Sequence, residues 1–318
     1  MPDADLEAQG PEGPHGPHGH VTVLLKEAIE FSAVRRGGTY IDATVGAGGH
    51  SSELARRLGA QGRLIGFDKD PDALAIARER LSLVVGPRSL AEDGGPQIEL
   101  RRGSFRQIDE MPERSADGIL ADLGLSSLQL SDAQRGFSFQ AEGPLDMRMD
   151  PREERTADQA VNRMDEVTLA NLIYEFGEER RSRRIARAIV RARPISSTAH
   201  LAKVISAAAR PMKLPPGHRQ IHPATRTFQG IRIWVNRELD DLKALLEAAP
   251  RVLRSGGRLV VISFHSLEDR MVKDAMRDGA HAGLYRLLTK KPVTAGNEEI
   301  AVNPRSRSAK MRAAERIG

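Results

Sequence analysis

The chain has 318 residues, enough for one large folding unit or two smaller ones, with 40% hydrophobic and 29% charged residues, the balance of a globular protein. It contains no cysteine, which excludes disulfides, thiolate metal sites and cysteine nucleophiles. The net charge of +5 favours a polyanionic partner mildly, while no apolar run approaches the roughly 20 residues that span a bilayer and no signal peptide opens the chain, so a cytoplasmic location and no membrane partner are expected.

Residues 1–19 are rich in Pro, Gly and acidic side chains and read as a disordered tail. His15, His18 and His20 have ligand-like spacing, but flexible tails seldom preorganise a metal site, and no metal is expected. The globular part starts at Val21. Residues 41–50, Ile-Asp-Ala-Thr-Val-Gly-Ala-Gly-Gly-His, read as a strand entering a glycine turn that opens a helix at Ser51 or Ser52. A second strand, residues 63–67, ends on Asp68. That order builds the first half of a doubly wound sheet, with its ligand at the carboxyl ends of the strands. Gly46, Gly48 and Gly49 let the backbone approach that ligand, the helix start offers free N–H groups, and Asp68 is placed to accept hydrogen bonds from ribose hydroxyls. A dinucleotide fingerprint needs a third glycine at position 51, which is serine, and no Gly-Lys-Ser/Thr phosphate loop is present. S-adenosylmethionine, a nucleoside with a carboxylate tail, fits better than NAD or ATP; an ordinary tight turn is the alternative.

Asp70 and Pro71 read as an N-cap and first helical residue, and Leu74, Ala77 and Leu81 continue at helical spacing. Residues 86–96 form a loop. Ile98 and Leu100 mark a third strand running into Gly103, Ser104 and Phe105, and a fourth strand, residues 118–121, delivers Asp122. Strand signals then stop. Residues 131–222 read as an inserted helical domain, with helices over residues 166–176, closed by Gly177, and over 198–210. Within it Arg180, Arg183, Arg184, Arg187 and Arg191 recur at helical spacing, either as a ridge that contacts RNA phosphates or as a solvated helix face. A second basic group, Arg305, Arg307, Lys310 and Arg312, lies near the C-terminus. A long helix from about Ala224, with a stripe through Phe228, Ile231, Val235, Leu242 and Leu246, returns to the sheet. After Ser255-Gly256-Gly257 comes a fully covered strand, residues 258–263, and short strands near 284–288 and 309–313 suggest a closing antiparallel pair. The expected fold is α/β: a class I, Rossmann-like methyltransferase sheet from residues 20–130 and 223–318, interrupted by the helical insertion.

The motifs, in order, are His20-Val21-Thr22-Val23-Leu24-Leu25, the glycine turn, Asp122-Leu123-Gly124-Leu125-Ser126-Ser127 with Gln129, Arg135-Gly136-Phe137-Ser138-Phe139, and Gly143 through Asp150. They continue with His222-Pro223-Ala224-Thr225-Arg226-Thr227-Phe228-Gln229, Ser263 through Arg270, and Asn303 through Ser308. Together they make the chain resemble the bacterial small-subunit ribosomal RNA cytosine-N4 methyltransferase family, from His20 to the C-terminus. The resemblance implies methyl transfer from S-adenosylmethionine to the exocyclic N4 of a decoding-centre cytosine in 16S rRNA. Its partner would be 16S rRNA or the small ribosomal subunit, with a homodimer left open. Another RNA, DNA or a small-molecule amine is the alternative substrate. Carried over, Gly48, Gly49 and His50 would lie along the methionine end of the cofactor, Asp68 would bind the ribose, Phe105 would pack on the adenine, and Asp122 and Gln129 would complete the pocket.

The N4 lone pair of cytosine is delocalised into the ring, so an acceptor beside the amine has to draw it toward tetrahedral geometry. Many amino-methyltransferases place an Asp/Asn/Ser-Pro-Pro-aromatic turn after the fourth strand. Here that place holds Asp122-Leu123-Gly124-Leu125, without prolines or aromatic. Asp122, or a carbonyl of its turn, is the expected acceptor, with Asp146 and His265 as weaker candidates. Phe137 and Phe139 are the expected stacking surfaces for a flipped-out base, packing between insertion and core being the alternative.

Overall fold

The computed structural model describes residues 21–85, 95–209 and 222–318. The tail with His15, His18 and His20, most of the 86–96 loop, and the stretch 210–221 lie outside the described residues. The elements run α1 (Leu25–Ser32), β1 (Thr39–Asp42), α2 (Gly49–Leu58), β2 (Arg63–Asp68), α3 (Pro71–Val85), β3 (Gln97–Arg102), β4 (Ala116–Asp122) and α4 (Ser127–Ser131). They continue with α5 (Glu166–Gly177), α6 (Ser182–Arg191), α7 (Thr198–Ala208), α8 (Thr225–Asn236), α9 (Glu238–Val252), β5 (Leu253–Ser263), α10 (Ser266–His281), β6 (Tyr285–Leu287), α11 (Asn297–Val302) and β7 (Lys310–Arg316).

The seven strands form one sheet in the order β3-β2-β1-β4-β5-β7-β6. The first five are parallel, and β7 pairs antiparallel with both β5 and β6. Both faces are covered, and alternate residues divide between them. Ile41, Ile65, Phe67, Ile119, Leu259 and Val261 pack with Leu242 and Leu245 of α9 and Val272 of α10. Tyr40, Leu64, Leu120, Val260 and Ile262 pack on the opposite side with Ile29 of α1 and Leu54 and Leu58 of α2. The chain turns back across the sheet between β1 and β4, which leaves a crevice at their carboxyl ends. The doubly wound α/β class and the closing antiparallel pair are as the sequence implies.

Three local features differ from expectation. The helix after β1 begins at Gly49, ahead of Ser51. The single long helix from Ala224 is two helices, broken at Arg237, which adopts a left-handed conformation (φ 52°). Its two stripes serve different cores: Ala224, Phe228, Ile231 and Val235 pack with Leu169, Ile173, Ile185, Ile189, Leu201 and Ile205 of α5–α7, whereas Leu242 and Leu246 pack on the sheet. Gly177 does not close α5 in a left-handed turn; Glu178 does (φ 49°). Gly177 instead lets α5 meet α8, because a Cβ there would come within 2.4 Å of the Arg226 carbonyl. Among the described residues no helix is long and apolar enough to cross a membrane.

Candidate active site

A cleft of about 320 Å³ opens at the carboxyl ends of the central strands. Of the residues expected to hold a cofactor, Gly46, Gly49, His50, Asp68, Phe105, Asp122 and Gln129 line it. Gly48 does not. Its contribution is conformational, since it takes φ 80° and packs against the backbone of Ala77. Gly46 is also left-handed (φ 52°), with open space where a Cβ would stand, so the main chain presents itself bare to the cleft. Gly49 is required for another reason: a Cβ there would fall 2.0 Å from the Thr22 hydroxyl. Thr22 belongs to the His20–Leu25 motif, whose spacing alone implies no contact with the glycine turn. Val21, Thr22 and Val23 form one wall of the cleft, held by Asn303 Nδ2 donating to the Val21 carbonyl (3.0 Å) and Leu24 N–H donating to Glu299 (2.8 Å).

Three carboxylates from neighbouring strands converge here. Asp68, ending β2, accepts from Gly46 N–H (2.7 Å) and Asp70 N–H (2.9 Å). Asp42, ending β1, accepts from the Ser51 hydroxyl (2.5 Å) and Thr44 N–H (3.1 Å). Burial pushes both carboxyls up to about 6. Asp122, ending β4, is raised well above the ordinary carboxylate range by burial and then by the negative charges of Asp42, Glu268 and Glu299. Its main-chain N–H donates to Thr44 Oγ1 (2.6 Å), while its Oδ1 is buried with no hydrogen-bond partner. Oδ2 lies 3.7 Å from His50 Nδ1. His50 Nε2 sits 3.1 Å from the Val23 carbonyl, which can only accept, so that nitrogen carries the proton and Nδ1 faces Asp122. The His50 imidazole therefore holds the Val21–Val23 wall through Nε2, and its Nδ1 edge lies beside Asp122.

The remaining candidates fall in other places. Gln129 is buried, and its amide is engaged: Oε1 accepts from Ser126 N–H (3.0 Å), closing the capping box of α4, and Nε2 donates to Asp70 (2.9 Å). Asp146 is not in the cleft wall. It holds its own loop through Arg148, and although burial opposes ionisation, that guanidinium and the Arg148 N–H bring its carboxyl below the usual range. His265 is the N-cap of α10, paired with Glu268 in a capping box. Glu238, His265 and Glu268 present ligand atoms within 4.8 Å of one another, yet Arg232 already supplies the cation through two 2.8 Å bonds to Glu238. Phe137 is buried in the helical cluster, and Phe139 stacks on His222 (4.5 Å between centroids) and meets Phe228 edge-on. Both pack in the helical cluster, Phe139 half-buried, and neither lines the cleft. Phe264, just beyond β5, lines the cleft.

Arg180, Arg183, Arg184, Arg187 and Arg191 are all exposed, while Ile185, Ala186 and Ile189 of α6 are buried. Arg187 pairs with Glu166 (3.1 Å). Among the described residues Arg180, Arg183, Arg184 and Arg191 form no ion pair. In the C-terminal basic group, Lys310 and Arg312 are spent on Asp269. Arg305 stays at the cleft mouth and donates to Ser127 Oγ (2.6 Å).

The electrostatics select a class of ligand. Among the described residues no lysine or arginine forms an ion pair with Asp42, Asp68 or Asp122, so a phosphate would be repelled and a cation is wanted. S-adenosylmethionine fits: its sulfonium and ammonium complement the carboxylates, its ribose suits Asp68, and an unpartnered acceptor waits at Asp122. Sheet order and cleft together define a methyltransferase of the class I kind. Residues 17–317 match the family model described as the MraW methylase family, and the chain belongs to that family. It is similar to proteins named ribosomal RNA small subunit methyltransferase H. The one from Koribacter versatilis (strain Ellin345) is 63% identical over 99% of this chain and 100% of that one. The one from Acidobacterium capsulatum is 59% identical over 93% and 98%, and the one from Sorangium cellulosum (strain So ce56) is 47% identical over 94% and 91%.

Proposed function

We propose that the chain methylates the exocyclic N4 of a cytosine in the decoding centre of 16S rRNA, acting in the cytoplasm on the small ribosomal subunit. The observation that carries the amine chemistry is the buried, unpartnered Oδ1 of Asp122 at the end of β4. Bound in the cleft, S-adenosylmethionine supplies an electrophilic methyl group. Every other requirement falls to the chain. Asp122 Oδ1 accepts a hydrogen bond from the N4 amine, which concentrates the nitrogen lone pair, and then takes the proton the amine must lose. Burial and its acidic neighbours make Asp122 a stronger base than an ordinary carboxylate. Thr44 Oγ1 holds the Asp122 main chain (2.6 Å), His50 anchors the Val21–Val23 wall beside the carboxylate, and that wall helps exclude water.

The small-subunit target is supported by the family and by the names its relatives carry. We assign RNA holding to the helical unit whose core includes α5–α8, with the exposed arginines of α6 and its approach as phosphate contacts. That unit is tied to the catalytic side by Glu178, which accepts from Ser266 and from Arg270 of α10 (3.0 Å for the latter).

The test is to incubate the protein with labelled S-adenosylmethionine and small subunits from cells lacking the modification, then identify the nucleoside. N4-methylcytidine at one site is expected. Label on C5, on a 2′-oxygen or on protein alone would overturn the reading.

A further inference from the structure

The geometry points to Phe264 as the surface on which the target base is held flat beside Asp122. This rests on the function proposed above and adds the residue that orients the substrate.

The assignment follows from the sheet. Asp68, Asp42 and Asp122 end β2, β1 and β4, three strands in a row, so the cofactor-holding groups march across the crevice in steps of roughly 5 Å. The next strand in that direction is β5, and Phe264 is the first residue beyond it. Asp122 pairs in register with Ile262, and Leu123 N–H donates to the Ile262 carbonyl (2.9 Å), so Gly124 and Phe264 emerge side by side. Gly124 has no side chain to intervene. A Cβ there would stand 3.3 Å from Phe264 Cδ2, and its φ of 98° disfavours any other residue. The ring is anchored from behind, partly by the cluster under β5 and partly by its own N–H, which donates to buried Glu268 (2.9 Å). It still lines the cleft.

The chemistry requires such a surface. A delocalised exocyclic amine reacts only when the base plane is fixed relative to the incoming methyl, and a flipped pyrimidine is ordinarily fixed by stacking. The Asp122 turn itself, Leu123-Gly124-Leu125, has no aromatic. The aromatic that could do this arrives from the neighbouring strand.

The experiment compares Phe264→Leu and Phe264→Tyr with the wild type, on small subunits lacking the methyl group, measuring kcat, KM, cofactor affinity and melting temperature. Leucine fills most of the space without a π-face; tyrosine keeps the ring. Stacking is worth enough that kcat/KM of Phe264→Leu should fall about ten- to a hundredfold while cofactor affinity stays within about twofold, and Phe264→Tyr should stay within about threefold of wild type. Phe264→Met replaces the leucine variant if that does not fold. A leucine or methionine variant with wild-type turnover overturns the assignment. So does an equal loss in the tyrosine variant, or a loss matched by weakened cofactor binding, since the ring would then be packing only. A wild-type protein that makes no N4-methylcytidine would instead bring down the proposed function, and this inference with it.

Discussion

At the scale of single residues, the cleft separates carboxylates that look interchangeable in the sequence. Asp122 is buried, is paired with no lysine or arginine among the described residues and carries an uncommitted oxygen; Asp146 is neutralised by Arg148 and held below the normal range. If Asp122 accepts the N4 proton, Asp122→Asn should cut turnover by about a hundredfold or more. Asp146→Asn should lower the melting temperature with little change in turnover. Single-turnover rates beside thermal melts distinguish the two, and comparable losses of rate would remove Asp122 from its special place. The sequence carried the glycine turn, Asp68 and Asp122, because each follows or ends a strand whose place in the sheet determines what it faces; Phe105, three residues past β3, came only with the family resemblance. The sequence did not carry Thr22 or Phe264. Nothing in local spacing indicates that Thr22 rests on Gly49 from 27 positions away, or that Phe264 emerges next to Gly124 from a strand 140 residues later. The packing of Phe139 was hidden for the same reason: it is decided by partners such as Phe228 and His222, which no periodicity reveals.

At the scale of elements, strands and capped helices were legible, and joints were not. Alternation and apolar runs located β1–β4 to within a few residues, and Asp70, whose side chain accepts from Asp72 N–H (3.1 Å), marks the start of α3. Strand β5 begins at Leu253, five residues earlier than its apolar run announces, and takes in Ser255-Gly256-Gly257. The break at Arg237 carried no glycine or proline to announce it. It exists because α8 and α9 serve different cores, and Asn236 at the joint is occupied by the main chain of Met147 and Met149 (2.8 and 2.7 Å). The arginine ridge was legible as a pattern but not as a function, since a solvated face has the same spacing. All five arginines are exposed, and among the described residues four of them form no ion pair, which leaves them free to meet phosphates as proposed. Arg183→Ala/Arg184→Ala should then weaken small-subunit binding and make its salt dependence shallower by about two in the log–log slope, with cofactor affinity unchanged. Binding measured across a salt series checks this. An unaltered slope would return α6 to the role of a solvated face.

At the scale of the whole molecule, the crevice gathers like charges that folding alone does not reward, and ligand binding offsets that cost. Asp42 and Asp68 are pushed up to about 6 from a normal value near 4. The sign follows directly: a carboxyl whose folded pKa exceeds its unfolded one contributes stability in its protonated form, fully present below the unfolded value and lost as pH rises through the folded one. For Asp42, which is buried, the shift corresponds to about 3 kcal/mol. Between pH about 4 and about 6, therefore, the ligand-free protein should lose stability from these groups. Asp150 works in the opposite sense, since Arg152 and Arg102 outweigh its burial and hold it at about 2; its stability is lost only below pH about 4, outside that window. Thermal melts across the window check the direction, and Asp42→Asn should flatten the curve. Saturating S-adenosylmethionine should flatten it too, because a sulfonium and an ammonium favour the ionised carboxylates. By linkage its binding should release protons near pH 6, measurable as a dependence of the calorimetric heat on the buffer's ionisation enthalpy. S-adenosylhomocysteine, whose sulfur is neutral, should release fewer. Equal proton release for both ligands would mean that the sulfonium does not face these carboxylates, and the cationic complementarity assigned to the cleft would fail with it.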